Sequence, residues 1–463
     1  MAAWPVVRGW DHEPGEPGSS GWDIRSFLTL LSASAGDRSA AARRHLLGWA
    51  RTEGEPGSPE PSWWDGGVQP VRPEGRAVER TRVWYRPMLA RGRAEEHRAS
   101  TPLELLFDLC FVVAVSQAGV QLHHSLGEHE IAHGVGTYFA VFFAIWWGWV
   151  NFSWFASAFD TDDVPYRVAT FVQIAGALVV AAGVPAAWHE DFSIVVAGYV
   201  LMRLALVAQW LRAARQDETY RPTALRYALG ITVVQIGWLL RLAVPASWFA
   251  VSFLVLVVAE LLVPVWAERA RATSWHPRHI AERYGLFTLI VLGESVLAAT
   301  TAMEDALSSG HEVGELIAVA VAGLAIVCSM WWVYFDRPGH RRLLQFRRGY
   351  VWGFGHYLIF GSAAAVGVGL ELTIDHVTHT GHLGTTGTAL ALTVPVALYV
   401  LSVWLLHVGP RNECRPIALG FPLAAVLVLA ASATPVAVYL VAVVLVALVV
   451  TILVATHGHP VED

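Results

Sequence analysis

From Leu423 to Leu453 the chain runs without one charged side chain. A helix of that composition is at home in hydrocarbon and nowhere else. The run is not isolated: apolar residues make up 55% of the 463 and charged ones only 15%. Together these exclude a soluble fold and predict an all-α, polytopic membrane bundle.

Twelve spans are expected from Thr101 onward, at about 102–122, 136–158, 165–186, 192–212, 223–243, 246–266, 280–302, 313–335, 349–371, 387–407, 415–431 and 434–456. The loops between them test this count. All 32 basic residues are arginine. They crowd Arg72 to Arg98, Arg212–Arg226, Arg269–Arg283, Arg337–Arg348 and Arg411/Arg415, which the twelve spans place on one side. The loops on the other side carry no arginine except Arg241 in a short turn. By the positive-inside rule both termini are cytoplasmic. The net charge of −6 therefore reports membrane orientation rather than an acidic partner.

Residues 1–100 are rich in Gly, Pro, Ser, Glu and Arg, and are expected to be a mostly disordered cytoplasmic extension with no spanning segment. Short helices are conceivable at Ile24–Leu31 and Ser39–Trp49, and Trp63-Trp64 could touch a membrane surface. A translation start at Met88, just before the first span, is an open alternative. Residues 101–266 and 267–456 form two six-helix halves, followed by a tail at 457–463. Several pairs mark the duplication: Glu104 to Asp108 opens the first span as Glu282 to Leu286 opens the seventh, and Trp146-Trp147 matches Trp331-Trp332. Gly176–Gly183 lies over Gly361–Val368, and both are small-residue tracts that permit close helix approach. Because six is even, the halves are expected to repeat in parallel about an axis along the membrane normal.

The chemistry rests on ionisable groups inside spans. Glu294 lies twelve residues beyond Glu282, or ~18 Å along a helix, past the middle of a hydrocarbon core ~30 Å thick. An acid at that depth costs roughly 2.5–3.5 kcal/mol to insert, so it is expected to face other helices or water. Gly293 beside it would let a backbone or water approach, and Ser295 follows. Glu104 and Asp108 share a helix face near the mouth of span one, where the structural alternative is an ion pair between Asp108 and Arg167 or a loop arginine. Arg203, in the middle of span four, is the evident cation for a membrane carboxylate. His356, Gln173, Gln209, Gln235, Asn151, Asp336 and Glu260 complete the buried polar set, which could equally be structural glue. Trp146, Trp147, Trp149 and Trp154 suggest an aromatic lining or plain packing.

Nine of the 19 histidines fall in the loops opposite the arginines. His376, His379 and His382 have a spacing that could bind metal, although solvated loop histidines explain it as well. Cys110, Cys328 and Cys414 have no metal-ligand or disulfide pattern. No hydrolase or nucleotide motif stands out, and neither a cofactor nor nucleic-acid binding is expected.

The series Leu103-Glu104, Phe107-Asp108 to Gln117, then Trp146-Trp147, then Glu282-Arg283, Gly285 and Leu292-Gly293-Glu294-Ser295 resembles the bacterial low-temperature-requirement protein A (LtrA) family, from about His97 to the last helix. The resemblance implies a multi-pass inner-membrane protein of unestablished molecular activity. It carries over to Glu104, Phe107, Asp108, Glu282, Arg283, Gly293, Glu294 and Ser295. A secondary transporter or ion-coupled permease is the function expected, its pathway containing Glu294, Asp108, Glu104, Glu282, Arg203, His356, Asp336 and Ser295. Its expected partners are membrane lipids and a small molecule or ion. Two alternatives remain open: a membrane enzyme acting on lipid, or a sensor or structural module.

Overall fold

The computed structural model describes residues 84–92, 99–308, 313–337, 343, 346–409 and 414–457, all within one compact unit, Arg80–Asp463. The expectations for residues 1–83, including the short helices, Trp63-Trp64 and the disorder, lie outside the described residues. Among those described there are twelve long helices and no strand. They are α1 (Pro102–Gly127), α2 (Ile131–Phe159), α3 (Val164–Trp188), α4 (Ser193–Gln216), α5 (Arg221–Arg241), α6 (Phe249–Ala267), α7 (Pro277–Ser308), α8 (Val313–Phe335), α9 (Phe346–Val377), α10 (Thr385–Val403), α11 (Arg415–Ala431) and α12 (Ala437–Thr456). Eleven are long and apolar enough to span a bilayer, and α11, at 17 residues, is slightly short. The chain is a multi-pass membrane protein.

Local chemistry sets the helix ends. Thr101 and Glu104 form a reciprocal capping box at the start of α1, with Pro102 in the first turn. Asp163 caps α3 by accepting from the Tyr166 N–H at 3.1 Å. A five-residue π-helical turn, Trp404–Val408, ends α10 and stops at Gly409, whose φ of 79° suits glycine.

α3 and α4 approach backbone to backbone. A Cβ on Gly176 would lie 2.8 Å from the Gly198 carbonyl, and one on Gly198 would lie 2.6 Å from the Gly176 carbonyl. Gly367 of α9 likewise leaves room for Ser295 of α7, since a Cβ on it would lie 2.9 Å from the Ser295 Cα. Gly293 has nothing within 4 Å, so the close approach expected at that glycine is made by Gly367 instead.

The helices neighbour one another in the same order in each set of six. α1 packs on α2 and α3 as α7 packs on α8 and α9, and each set continues third on fourth, fourth on fifth and fifth on sixth. The last helix of each set differs: α12 lies along α8 and also touches α10, whereas α6 packs closely only on α5 and the turn that precedes it. The two sets meet where α9 crosses α1 and α2, and where α7 crosses α1 and α2.

Residues 85–91, upstream of the spans, are built into the fold. The N–H groups of Arg86, Met88 and Ala90 donate to Asp163, Gln216 and Asp217 at 2.8, 2.6 and 2.9 Å, and Met88 is fully buried.

Candidate functional site

The ionisable residues inside the bundle fall into four groups, which differ in what their charges meet. At the end of the molecule that holds the α7 N-terminus, Arg283 donates to Asp108 Oδ1 at 2.7 Å, and Trp149 Nε1 donates to the same oxygen at 2.6 Å. Both charged side chains are fully buried. Ser153 takes a second Arg283 contact at 3.1 Å. The Asp108 partner is thus Arg283 within α7, neither Arg167 nor a loop arginine, and Arg167 pairs with Asp162 at 2.8 Å. One turn nearer the helix end, Glu104 meets His279 at 3.2 Å and closes the α1 capping box. Glu282 accepts from the Ser100 N–H at 3.0 Å. These two carboxylates hold helix starts together.

The second group centres on Glu260 of α6, which sequence reasoning had only among the buried polar residues. Arg203 Nη2 donates to Glu260 Oε2 at 2.8 Å, and Trp147 Nε1 donates to the same atom at 3.0 Å. The other oxygen accepts from Tyr199 at 2.8 Å, Gln235 at 3.0 Å and Trp238 at 3.3 Å. Arg203 therefore neutralises Glu260 and not Glu294. Four helices, α2, α4, α5 and α6, converge on one carboxylate, an arrangement that compensates desolvation with many donors. Gln173 and Gln209 bond to each other at 3.0 Å between α3 and α4, and Asn151 bonds within its own helix to Trp147 O at 2.8 Å.

The third group joins α8, α9 and the π-helical turn. His356 Nδ1 donates to the Trp352 carbonyl at 2.7 Å, which leaves Nε2 to accept from Tyr334 at 3.0 Å and face His407 Nε2 at 3.4 Å. Sequence reasoning missed His407, whose position one helix away from His356 no spacing indicates. Asp336 lies beyond the end of α8, with Arg337 at 3.6 Å, apart from His356 and the other groups. His376 faces Thr385 at 3.5 Å, and no group of three metal-capable side chains comes together among the described residues.

The fourth group contains Glu294. It is half-buried near the middle of α7 and lines a cavity of about 190 Å³ between α1, α7 and α9, together with Ser116, Ser295 and Glu371. Ser295 itself is turned to the Ala363 carbonyl at 2.9 Å. A second cavity, of about 300 Å³, shares Val120, Thr301 and Glu371 with the first and continues toward the helix ends, where His123 meets Asp375 at 2.8 Å. Carboxylates thus recur along one route: Asp375 at the helix end, Glu371 one turn deeper, Glu294 deeper still. Glu371 and Asp375 were missed. Their i, i+4 spacing at the end of span nine was the available signal.

Below Glu294 the route is shut. Trp149, Phe287 and Phe360 are fully buried and pack as tilted rings with centroids 4.5 Å (Trp149 to Phe287) and 4.9 Å (Phe287 to Phe360) apart, between Glu294 and the Asp108–Arg283 pair. Three of the four tryptophans are packing and polar anchors at once: Trp147 and Trp149 donate to Glu260 and Asp108, and Trp154 Nε1 donates to Tyr284 at 3.1 Å.

The family profile of the bacterial low temperature requirement A protein matches residues 99–456. Among curated proteins the chain is similar to an uncharacterised protein, RA0937, of Rhizobium meliloti (strain 1021), at 27% identity over 73% of this chain and 83% of that one. No solved structure matches.

Proposed function

Starting from the fact that the chain belongs to the bacterial low temperature requirement A family, we propose that it is a proton- or cation-coupled secondary transporter whose coupling acid is Glu294. The observation that carries this reading is the pair of connected cavities leading from His123 and Asp375 past Glu371 to a carboxylate at mid-helix, with an aromatic layer closing the far side. Glu294 and Glu371 line the same cavity, and this pair of carboxylates would be the one to carry a proton or share a small cation. Movement of the Trp149–Phe287–Phe360 layer would then expose Glu294 toward Asp108 and Arg283, in the manner of alternating access.

The arginine-rich loops support an orientation in which the Arg283 end, and with it both chain termini, faces the cytoplasm across a bacterial inner membrane. The cavities then open outward. The matching neighbour order of the two sets of six helices supports a doubled, parallel bundle around this route, a plan common in transporters.

Purified full-length chain in liposomes carrying a pH-sensitive dye tests the reading. An imposed gradient should discharge with wild-type protein, and Glu294→Gln and Glu371→Gln should each reduce discharge to that of empty vesicles. Wild-type discharge in both variants would overturn it.

A further inference from the structure

A cavity of about 860 Å³ shares no lining residue with the one at Glu294 and plays no part in the proposed coupling. It occupies the place where α6 stands away from α2, in contrast to the packing of α12 on α8. Glu260 pins α6 deeper in the bundle, so the separation opens toward the α5 end and sideways toward lipid. Its walls are aromatic and aliphatic, including Phe143, Phe253 and Tyr357. In size it lies at the upper end of the ~300–1,000 Å³ usual for ligand pockets.

Arg241 sits at its mouth, as the last residue of α5 and so at head-group depth. The guanidinium carbon lies 4.1 Å from the Phe249 ring centroid and 5.3 Å from that of Phe192. The residue is only 8% exposed, its Nε has no hydrogen-bond acceptor, and no described carboxylate lies within ion-pair distance of it. A desolvated arginine without a counter-charge is a site for an anion, and its planar fork suits phosphate. The rim also holds Glu190 and Asp191, both exposed. A head group with net negative charge would meet repulsion there, whereas one carrying an ammonium beside its phosphate would not.

We propose that this cavity binds an aminophospholipid, with its phosphodiester on Arg241, its ammonium toward Glu190 and Asp191, and an acyl chain in the groove between α2 and α6. The lipid fills the seat that a closer α6 would otherwise take.

Native mass spectrometry of the full-length chain in nonionic detergent, titrated with dioleoyl phosphatidylethanolamine, phosphatidylcholine or phosphatidylglycerol, tests this. Phosphatidylethanolamine should give the highest adduct occupancy, and Arg241→Gln should weaken it about tenfold, the loss of one charge-assisted contact. Val257→Trp, which narrows the groove and leaves Arg241 in place, should weaken all three lipids alike. Glu294→Gln should leave the adducts unchanged, which separates this proposal from the transport reading. Wild-type occupancy in both cavity variants, or phosphatidylglycerol bound as well as phosphatidylethanolamine, would overturn it.

Discussion

Arg203 Nη2 lies 2.8 Å from Glu260 Oε2, with both side chains at most 1% exposed. Among the described residues Arg203 is the arginine at mid-span, and its pairing with Glu260 decides which acid is structural and which is left facing a cavity. The same division separates Asp108, held by Arg283 and Trp149, from Glu294.

Removing one member of the Arg203–Glu260 pair leaves a buried charge without its partner. Arg203→Met is expected to destabilise the bundle by about 3–5 kcal/mol, and the double variant Arg203→Met/Glu260→Leu to recover much of that. Thermal unfolding in detergent, followed by tryptophan emission, would show the rescue; a double variant no better than the single one would mean the pair is not an isolated unit.

Asp108 and Glu294 are expected to separate stability from transport. Asp108→Ala orphans Arg283 and should lower the melting temperature, with a cost on the order of 3 kcal/mol or more. Glu294→Gln should melt as wild type while abolishing flux. Equal thermal losses in the two variants would count against this division.

The two glycine environments give opposite expectations. Gly176→Ala forces a Cβ to 2.6 Å from Met202 Cγ and 2.8 Å from the Gly198 carbonyl, and should cost about 1–3 kcal/mol. Gly293→Ala meets nothing within 4 Å and should be neutral, or stabilising by up to about 1 kcal/mol through helix propensity. Paired melts of the two variants check the geometry directly.

Asp163 predicts an acid-labile contact outside the spans. Burial alone would raise its carboxyl, but the hydrogen bonds from Arg212 and from the Arg86 and Tyr166 N–H groups, with the Arg212 charge, hold it below the usual range. Its folded value is depressed, so its stabilisation is complete above the unfolded value of about 3.9 and is lost as pH falls through the folded one. Hydrogen exchange at Arg86, corrected for intrinsic rate, should accelerate as the solution is acidified below that point. Asp163→Asn should exchange fast at all pH values, and a pH-independent wild type would rule the contact out.

Much of the architecture could be read directly. The ends of span eight, 313–335, and of the short eleventh helix, 415–431, agree with the structure to the residue, because hydropathy along one helix is a local property. α7 and α9 run several residues longer than expected, to Ser308 and Val377, since polar residues extend a helix past the hydrocarbon without changing the apolar window. That extension hid Asp375 and left Glu371 at a presumed helix end.

The sequence by itself determined that the chain is a bundle of membrane helices, and that acids and arginines lie among them. Only the tertiary structure decided which of these meet. Arg203 and Glu260 are 57 residues apart, and Asp108 and Arg283 are 175 apart. Their pairing depends on the rotation of each helix about its own axis and on which helices are neighbours. Spacing along the chain fixes the face a residue occupies on its own helix, and nothing about the helix that face will touch.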